Sequence, residues 1–248
     1  MVTGERLPRV VSLVPSATET LQAWGIAPVA VTRFCDVTGL PGVPTVGGTK
    51  NPDVAAIVEL GPDLVVLCDE ENRKEDAEAL EAAGLDLHVV VIRSVDDVAP
   101  ALAALAARLG LRREPETAGP GGPAAPDPVG AGARRPRAFV PIWRRPWMTL
   151  NRDTYGDSVL AAAGVANVFA GERERYPETD LDAAAARRPD VVLAPSEPYP
   201  FGPRHTAELS RVAPVVPVDG RDLFWWGVRT RAAVQRLAAQ LSLVAGAG

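Results

Sequence analysis

The sequence contains one α/β unit twice. Residues 51–67 read NPDVAAIVELGPDLVVL, and residues 180–195 read DLDAAAARRPDVVLAP. Each copy has a helix-capping residue, an Ala-rich helical segment, a Pro-Asp break and an apolar segment of strand length. Two copies of this unit predict two similar lobes with a cleft between them. Because ligands of α/β sheets bind beyond the carboxyl ends of the strands, the loops after the strands are the candidate site.

Composition and charge narrow the class of protein. The chain has 248 residues and a net charge of −5, which argues against a nucleic-acid-binding protein. No apolar segment reaches the ~18 residues that a membrane-spanning helix needs. Residues 1–8, MVTGERLP, lack the basic and apolar regions of a secretory signal. We expect a monomer that is cytoplasmic as written, or extracytoplasmic if a leader has been removed.

Helical and strand patterns alternate in both halves, which predicts an α/β fold with mostly parallel sheets. Ser16-Ala-Thr-Glu19 is interpreted as a capping box at the start of the first helix. Asn51-Pro52 and Asn72 are interpreted as the starts of the next two helices. In the second half, Asp153 or Thr154 and then Asp180 are the predicted caps.

A Pro/Gly-rich segment without aromatic residues, EPETAGPGGPAAPDPVGAGA at residues 114–133, marks the boundary between the halves. The predicted organisation has four parts. They are an N-terminal α/β lobe over 1–93, a connecting helix over 94–112, a flexible linker over 113–135 and a C-terminal α/β lobe over 136–248.

Large aromatic residues are concentrated in the loops that follow the predicted strands. Such residues bury much area at little entropic cost, so on Pro-rich loops they favour a binding surface. Trp225 and Trp226 are adjacent, and we expect at least one of them to face the cleft. Four of the five tryptophans lie in these loops: Trp143, Trp147, Trp225 and Trp226.

Two charged segments each have two interpretations. The acidic triplet Asp69-Glu70-Glu71 is either the solvated first turn of a helix or a hydrogen-bonding, cation-facing edge of the site. Arg144 and Arg145, beside two tryptophans, either clamp a carboxylate or phosphate group of a ligand or form an exposed pair.

Catalytic and metal-binding patterns are weak. No histidine is spaced to activate Ser16, and neither a G-x-S-x-G elbow nor a phosphate-binding glycine loop occurs. Cys35 and Cys68 fit no zinc-ligand spacing and are expected to be free thiols. The two histidines, His88 and His205, lie in unrelated contexts. We therefore expect neither a metal site nor an enzyme.

Four segments resemble a known family. They are RVVSLVPSATETL from Arg9, VGGTKNPDVAAIVELGPDLVV from Val46, FVPIWRRPWMTL from Phe139 and PSEPYPF from Pro195. These segments resemble cobalamin-binding proteins of the B12-uptake type. Those proteins belong to the periplasmic substrate-binding proteins with a helical backbone, which also bind iron–siderophores, haem or metal ions. The resemblance covers nearly the whole chain outside residues 114–133.

The resemblance implies the class III substrate-binding fold: two Rossmann-like lobes joined by a single backbone helix, with the ligand held between them. It also implies a partner, the permease and ATPase of an ABC importer. Together with the strand-end loops, it indicates these ligand-binding residues: Pro15, Phe34, Asp36, Cys68, Glu70, Glu71, Trp143, Arg144, Trp147, Glu197, Tyr199, Phe201, Phe224, Trp225 and Trp226.

The leading hypothesis is a non-catalytic protein of the ABC-importer type that binds a corrinoid, or a similar large chelate, in an aromatic cleft without a covalent cofactor. One alternative is an iron–siderophore or haem binding protein. Another is a cytoplasmic corrinoid sensor or carrier. The last is a two-lobed enzyme that uses Asp36, Glu70 or Glu197 as its acid or base.

Overall fold

The structure is a computed structural model that describes residues 7–111 and 134–245. Within these residues the chain forms two compact units. The first contains residues 7–92, 97–111 and 226–228, and the second contains residues 93–96, 134–225 and 229–245. Most of the linker predicted over 113–135 lies outside the described residues. The domain boundaries given above stay a prediction.

The first unit is built on a four-stranded sheet in which every neighbouring pair is parallel. Its strands are β1 (Val10–Ser12), β2 (Ala30–Val31), β5 (Leu64–Cys68) and β6 (Leu87–Val90), in the order β2-β1-β5-β6. A short antiparallel pair is formed by β3 (Gly47–Gly48) and β4 (Asn51–Pro52). The helices are α1 (Pro15–Ala23), α2 (Val54–Leu60), α3 (Lys74–Ala82) and α4 (Val98–Arg108). Alternating β and apolar helical patterns thus produce the predicted parallel α/β unit.

The core of the first unit follows from the apolar strands. In β5, all five residues from Leu64 to Cys68 are buried, which is typical of a strand covered on both faces. Val11 of β1 lies in register with Val65 of β5. These strands pack with helix residues into one cluster: Val11, Leu13, Ala30, Val46, Ile57, Val65, Leu67 and Leu80.

The second unit repeats this plan. Its parallel sheet contains β7 (Arg137–Phe139), β10 (Ala166–Asn167), β12 (Val191–Pro195) and β13 (Val215–Val218), in the order β10-β7-β12-β13. A three-stranded antiparallel sheet contains β8 (Trp143–Arg144), β9 (Trp147–Met148) and β11 (Glu178–Thr179). The helices are α5 (Tyr155–Ala162), α6 (Leu181–Ala186), α7 (Pro203–Leu209), α8 (Gly220–Phe224) and α9 (Thr230–Ala245).

The sequence repeat is confirmed as a structural repeat. Its first copy forms α2 and β5, and its second copy forms α6 and β12, another strand of five buried residues. Asp180 caps α6, because its Oδ1 accepts the Ala183 N–H at 2.7 Å. Of the two candidates for α5, Thr154 is the cap, and its side chain accepts from Asp157.

The predicted capping box at Ser16 is wrong. Helix α1 begins one residue earlier, at Pro15, and its N-cap is Val14, which makes no side-chain hydrogen bond. Proline suits the first helical position because its φ is already helical and its missing N–H is not needed there. Ser16 is therefore inside the helix and buried, where its Oγ has no hydrogen-bond partner in the described structure.

Two further helix starts are corrected by the structure. Asn51-Pro52 forms strand β4, and the cap of α2 is Asp53, whose Oδ1 accepts the Ala56 N–H at 3.0 Å. Helix α3 begins at Lys74 rather than at Asn72. In both places a polar residue with good capping chemistry makes tertiary or sheet contacts instead.

The helix predicted over 94–112 is shorter than expected in the described chain. A 3-10 turn, Val95–Asp97, precedes α4, and α4 ends at Arg108. Gly110, with φ of 70°, takes the left-handed conformation that commonly ends a helix. Among the helices within residues 7–111 and 134–245, none is long and apolar enough to cross a membrane.

Candidate functional site

Each parallel sheet brings the loops after its strands to one edge of its own unit, as the sequence predicts. In the first unit these loops follow β1, β2 and β5, and they carry Pro15, Phe34 and residues 68–72. In the second unit they follow β7, β12 and β13, and they carry residues 143–147, 196–201 and 219–225. The position of a ligand in an interlobe cleft stays a prediction.

Asn72 organises the edge of the first unit. Its Oδ1 accepts the Cys68 N–H at 2.8 Å, while its Nδ2 donates to the carbonyl oxygens of Leu13 at 3.3 Å and Thr49 at 2.9 Å. Three separate loops therefore meet on one amide side chain, which is only 7% exposed. The sequence pattern identified Asn72 as a helix cap and missed this role.

The acidic triplet belongs to the turn after β5. Because α3 begins at Lys74, its first turn contains Glu75 and Asp76, and the interpretation of the triplet as a helix first turn is wrong. The Glu71 N–H donates to the Cys68 carbonyl at 3.2 Å. Lys50 Nζ donates to the Glu70 carbonyl at 2.6 Å, so a cation lies against this turn. Glu70 and Glu71 are half-buried.

Cys35 and Cys68 are both buried free thiols, as predicted. Burial, aided by the negative charge of Glu71, raises the pKa of the Cys68 thiol to about 12. Cys35 Sγ lies 3.1 Å from Thr18 Oγ1 and 3.2 Å from Thr32 Oγ1. Burial also raises the pKa of the Cys35 thiol. Both thiols are therefore neutral side chains rather than nucleophiles at neutral pH.

Phe34 is the most outward-facing aromatic residue of the first unit. Its side chain is 54% exposed, and the Arg33 guanidinium lies 4.9 Å from the ring centroid. Gly48 lies beneath this pair, since a Cβ there would be 3.0 Å from both the Arg33 and Phe34 side chains. The missing side chain at Gly48 therefore lets the ring and the guanidinium lie against the β3–β4 turn.

Two other candidates of the first unit have structural contacts. Asp36 Oδ1 accepts the Thr38 N–H at 2.9 Å, which fixes the turn after Phe34. The Asp36 carbonyl accepts from Gln22 Nε2 at 2.8 Å. Pro15 is buried as the first residue of α1.

Five aromatic side chains of the second unit form what we call the aromatic cluster. Trp143 meets Tyr199 edge-on at 5.5 Å, and Tyr199 lies 4.7 Å from Phe201. Trp147 stacks on Phe201 at 5.9 Å with 9° between the planes. His205 contacts Tyr199 at 5.5 Å and Phe201 at 5.4 Å. Trp143 is 44% exposed and Phe201 is buried, so the cluster extends from the core to the surface.

Arg144 is bound to a carboxylate of its own unit. Its guanidinium donates to Glu208 Oε2 through Nε at 2.9 Å and through NH2 at 2.8 Å. These bonds raise the pKa of Arg144. The guanidinium also lies 5.9 Å from the Trp147 ring centroid. Arg144 thus helps to hold the aromatic cluster, and the ligand clamp proposed for it stays a prediction.

A second group at this edge joins Glu197 to Trp225. Trp225 Nε1 donates to Glu197 Oε2 at 3.2 Å, and Arg221 Nε lies 3.5 Å from Glu197 Oε1. Burial raises the pKa of Glu197, and the bond from Trp225 and the charge of Arg221 oppose that rise. Arg221 and Arg229 lie 4.7 Å and 5.6 Å from the Trp225 ring centroid.

Trp225 and Trp226 are both buried, and the expectation that one of them faces a cleft stays a prediction. Trp225 has extended backbone angles after α8, so adjacent side chains point in opposite directions and protein covers both. Phe224 is half-buried, and a Cβ at Gly156 would lie 3.2 Å from its ring.

The structure therefore unites Trp143, Trp147, Tyr199 and Phe201, and separately Glu197 and Trp225. The sequence patterns assigned no role to His205 or Glu208. A signal for His205 existed: it follows Gly202 by three residues, the spacing of a capping box, with histidine in place of Glu or Gln. Within residues 7–111 and 134–245 no group of three or more His, Cys, Asp or Glu side chains is placed to hold a metal ion.

The profile of the family described as periplasmic binding protein matches residues 10–205. The chain belongs to the periplasmic binding protein family. Its curated relatives include the vitamin B12-binding protein of Salmonella choleraesuis (strain SC-B67). This relative is 28% identical over 193 residues, which cover 75% of the present chain and 71% of the relative. The vitamin B12-binding protein of Pectobacterium carotovorum is 23% identical over 246 residues, covering 94% and 88%.

Solved structures of periplasmic binding proteins share this fold. The vitamin B12 binding protein BtuF of Vibrio cholerae matches with a TM-score of 0.72 and 20% identity, covering 95% of this chain and 96% of BtuF. The haem-binding protein BhuT matches with a TM-score of 0.77 and 24% identity, covering 95% and 98%. At these identities the likeness establishes the fold, and the predicted two-lobed class III fold with parallel sheets is confirmed. This periplasmic binding protein is a ligand-binding protein of the ABC-importer type.

Proposed function

We propose that this periplasmic binding protein binds a corrinoid, and that the aromatic cluster of the second unit forms part of its binding surface. The observation that carries the proposal is the half-exposed Trp143, held edge-on against Tyr199 at a strand-end loop. A flat macrocycle is recognised by aromatic side chains that are rigid before it arrives, because little side-chain entropy is then lost on binding.

The geometry of the cluster supports a stacking role. Tyr199 is buttressed by Phe201 and His205, and Trp147 stacks beneath Phe201. Such support fixes the orientation of the outer rings, which lets them contribute as anchors of an interface. Glu197 lies two residues before Tyr199, and its half-buried carboxylate is an acceptor suited to the amide side chains at the edge of a corrinoid.

The sequence relatives also favour a corrinoid over another chelate, because those quoted above are vitamin B12-binding proteins. Phe34 supplies an exposed aromatic surface on the first unit as well. The proposed role is non-catalytic and needs no covalent cofactor. We propose that the monomer acts outside the cytoplasm and delivers its ligand to the permease and ATPase of an ABC importer.

Isothermal titration calorimetry with cyanocobalamin tests the proposal, with cobinamide, haemin and a ferric siderophore titrated in parallel. We expect 1:1 binding of cyanocobalamin. Trp143→Ala and Tyr199→Ala are each expected to weaken it about tenfold, the usual cost of truncating an interface anchor. Tyr176→Ala is the matched control: this exposed tyrosine pairs with Arg175 and is expected to leave affinity unchanged.

Failure of both corrinoids to bind would overturn the proposal. Tight binding of haemin alone would assign the protein to the haem alternative. If Trp143→Ala and Tyr176→Ala have equal effects, the ligand does not contact the aromatic cluster.

A further inference from the structure

His205 lies at the inner end of the aromatic cluster and is 4% exposed. Its ring contacts Tyr199 and Phe201, both in T-shaped geometry. It is thus a buried titratable group in direct contact with two rings of the proposed ligand surface. The second histidine of the chain, His88, lies on β6 in the first unit.

The His205 side chain also closes the start of α7. Its backbone N–H donates to the Gly202 carbonyl at 2.9 Å, and its Nδ1 accepts the Gly202 N–H at 3.1 Å. The Nδ1 contact corresponds to one half of a capping box, with an imidazole in place of the usual carboxylate or amide, while the Gly202 backbone replaces the N-cap side chain. Nε2 lies 3.2 Å from Arg204 Nε, a second N–H donor, so the neutral ring accepts from one of these two donors with its unprotonated nitrogen. Nε2 also lies 3.4 Å from the Tyr199 hydroxyl oxygen.

We infer that His205 is a positioning residue of the ligand surface: its neutral ring holds Tyr199 and Phe201 against α7, and protonation of the ring releases them. An imidazolium carries hydrogens on both nitrogens, so the ring can no longer accept from either Gly202 or Arg204. N–H donors then face each other at both ring nitrogens in a buried place, which favours movement of the ring away from the start of α7.

The charges around the ring decide the pH at which this happens. Arg204 Nε, on α7, lies 3.2 Å from His205 Nε2, and the Arg144 guanidinium approaches from β8. Burial first, and then these two cations, lower the pKa of His205 below its ordinary 6.5. The carboxylate of Glu208, also on α7, and the backbone of Gly202 act in the opposite direction. His205 is therefore neutral and holds Tyr199 and Phe201 above about pH 6.5. These contacts are lost as the pH falls through the lowered pKa of His205.

One consequence rests on the proposed function. If the ligand stacks on the aromatic cluster, its affinity falls as His205 is protonated, and acidification favours release. The positioning role itself does not need a ligand, so it is testable on the ligand-free protein.

The test is acrylamide quenching of tryptophan fluorescence in the ligand-free protein between about pH 7.5 and pH 5.0. Trp143 and Trp147 both contact rings that His205 holds. In the wild type the quenching constant is expected to rise at least about 1.5-fold below pH 6.5 as the cluster loosens. His88→Gln is expected to keep this step. His205→Asn is expected to lack this step, because the oxygen of the new amide still accepts from Gly202 but does not titrate. The carboxyls of Glu197 and Asp157 remain in that variant, so a step that they cause would persist.

A step that persists in His205→Asn, or that disappears in His88→Gln, overturns the inference. Cyanocobalamin titrations at the same two pH values form a separate arm. An affinity loss of about tenfold at the lower pH in His88→Gln, absent in His205→Asn, supports the link to the ligand. A fluorescence step with no cyanocobalamin binding at either pH upholds the role of His205 and refutes the proposed function.

Discussion

Replacing Asn72 with alanine removes the side chain on which three loops of the first unit meet. The change leaves the Cys68 N–H and the carbonyl oxygens of Leu13 and Thr49 without their partner. A buried polar group that loses its partner costs about 1–3 kcal/mol. The bond to Leu13 is long, at 3.3 Å, and Thr49 lies in a part-buried place, so we take the lower end of that range for these two.

The expected loss in the free energy of unfolding is therefore about 3–5 kcal/mol, a large share of the ~5–15 kcal/mol of a typical domain. For a chain of this size it corresponds to a fall in Tm of roughly 6–20 °C. Urea unfolding followed by far-UV circular dichroism measures the first quantity, and a thermal melt measures the second.

Asn51→Ala is the matched control in the same unit. Asn51 is exposed, and its Oδ1 accepts a 3.4 Å bond from Arg33, so we expect a loss below about 0.5 kcal/mol. The reasoning is refuted if Asn72→Ala and Asn51→Ala differ by less than this amount. Asn72→Asp adds a check of the mechanism. Its carboxylate would still accept from Cys68 but would face two carbonyl oxygens, so its stability deficit should shrink as the pH falls and the carboxyl gains a proton.

Three other predictions concern buried groups. Because its pKa is raised to about 12, the Cys68 thiol should react slowly with DTNB in the native protein at pH 8. After denaturation both thiols of the chain should react much faster. Rapid reaction of the native protein would contradict the burial of Cys68. Gly227→Ala should lower the free energy of unfolding by ~2 kcal/mol or more, because φ is 115° and the new Cβ would lie 2.4 Å from Thr20 Oγ1. Adding Thr20→Ala to the same chain should restore part of the loss, which thermal melts would measure. Asp222→Asn should cost ~2 kcal/mol in urea unfolding, since the buried carboxylate binds Arg229 at 3.0 Å and a second arginine at 2.6 Å; an unchanged midpoint would show that these ion pairs contribute nothing.

The sequence was sufficient where local chemistry and burial agree. The apolar segments Leu64–Cys68 and Val191–Pro195 are both buried strands, because neither has a polar alternation that would suit a solvent-exposed face. Thr154 and Asp180 cap their helices as predicted, since the partner of an N-cap lies only three residues away.

The sequence was insufficient where a polar residue had two good partners. Asn72 could cap a helix or bind distant backbone groups, and the structure places it on the carbonyl of Leu13, 59 residues away. Ser16 stands in a pattern suited to a capping box, yet Pro15 moves the helix start by one residue and buries the hydroxyl. The first difference depends on a tertiary contact that replaces a local one, and the second on the helical φ that proline already has.

By itself, then, the sequence determined the parallel α/β units, their repeat and the loops in which the aromatic residues lie, because periodicity and burial decide these locally. Only the tertiary structure decided what those aromatic residues do. It buries Trp225 and Trp226, leaves Trp143 half-exposed, and joins Arg144 to Glu208 across 64 residues. It also places His205 beneath Tyr199. No local pattern reports such contacts, since they depend on how loops from separate strands meet at the edge of one sheet.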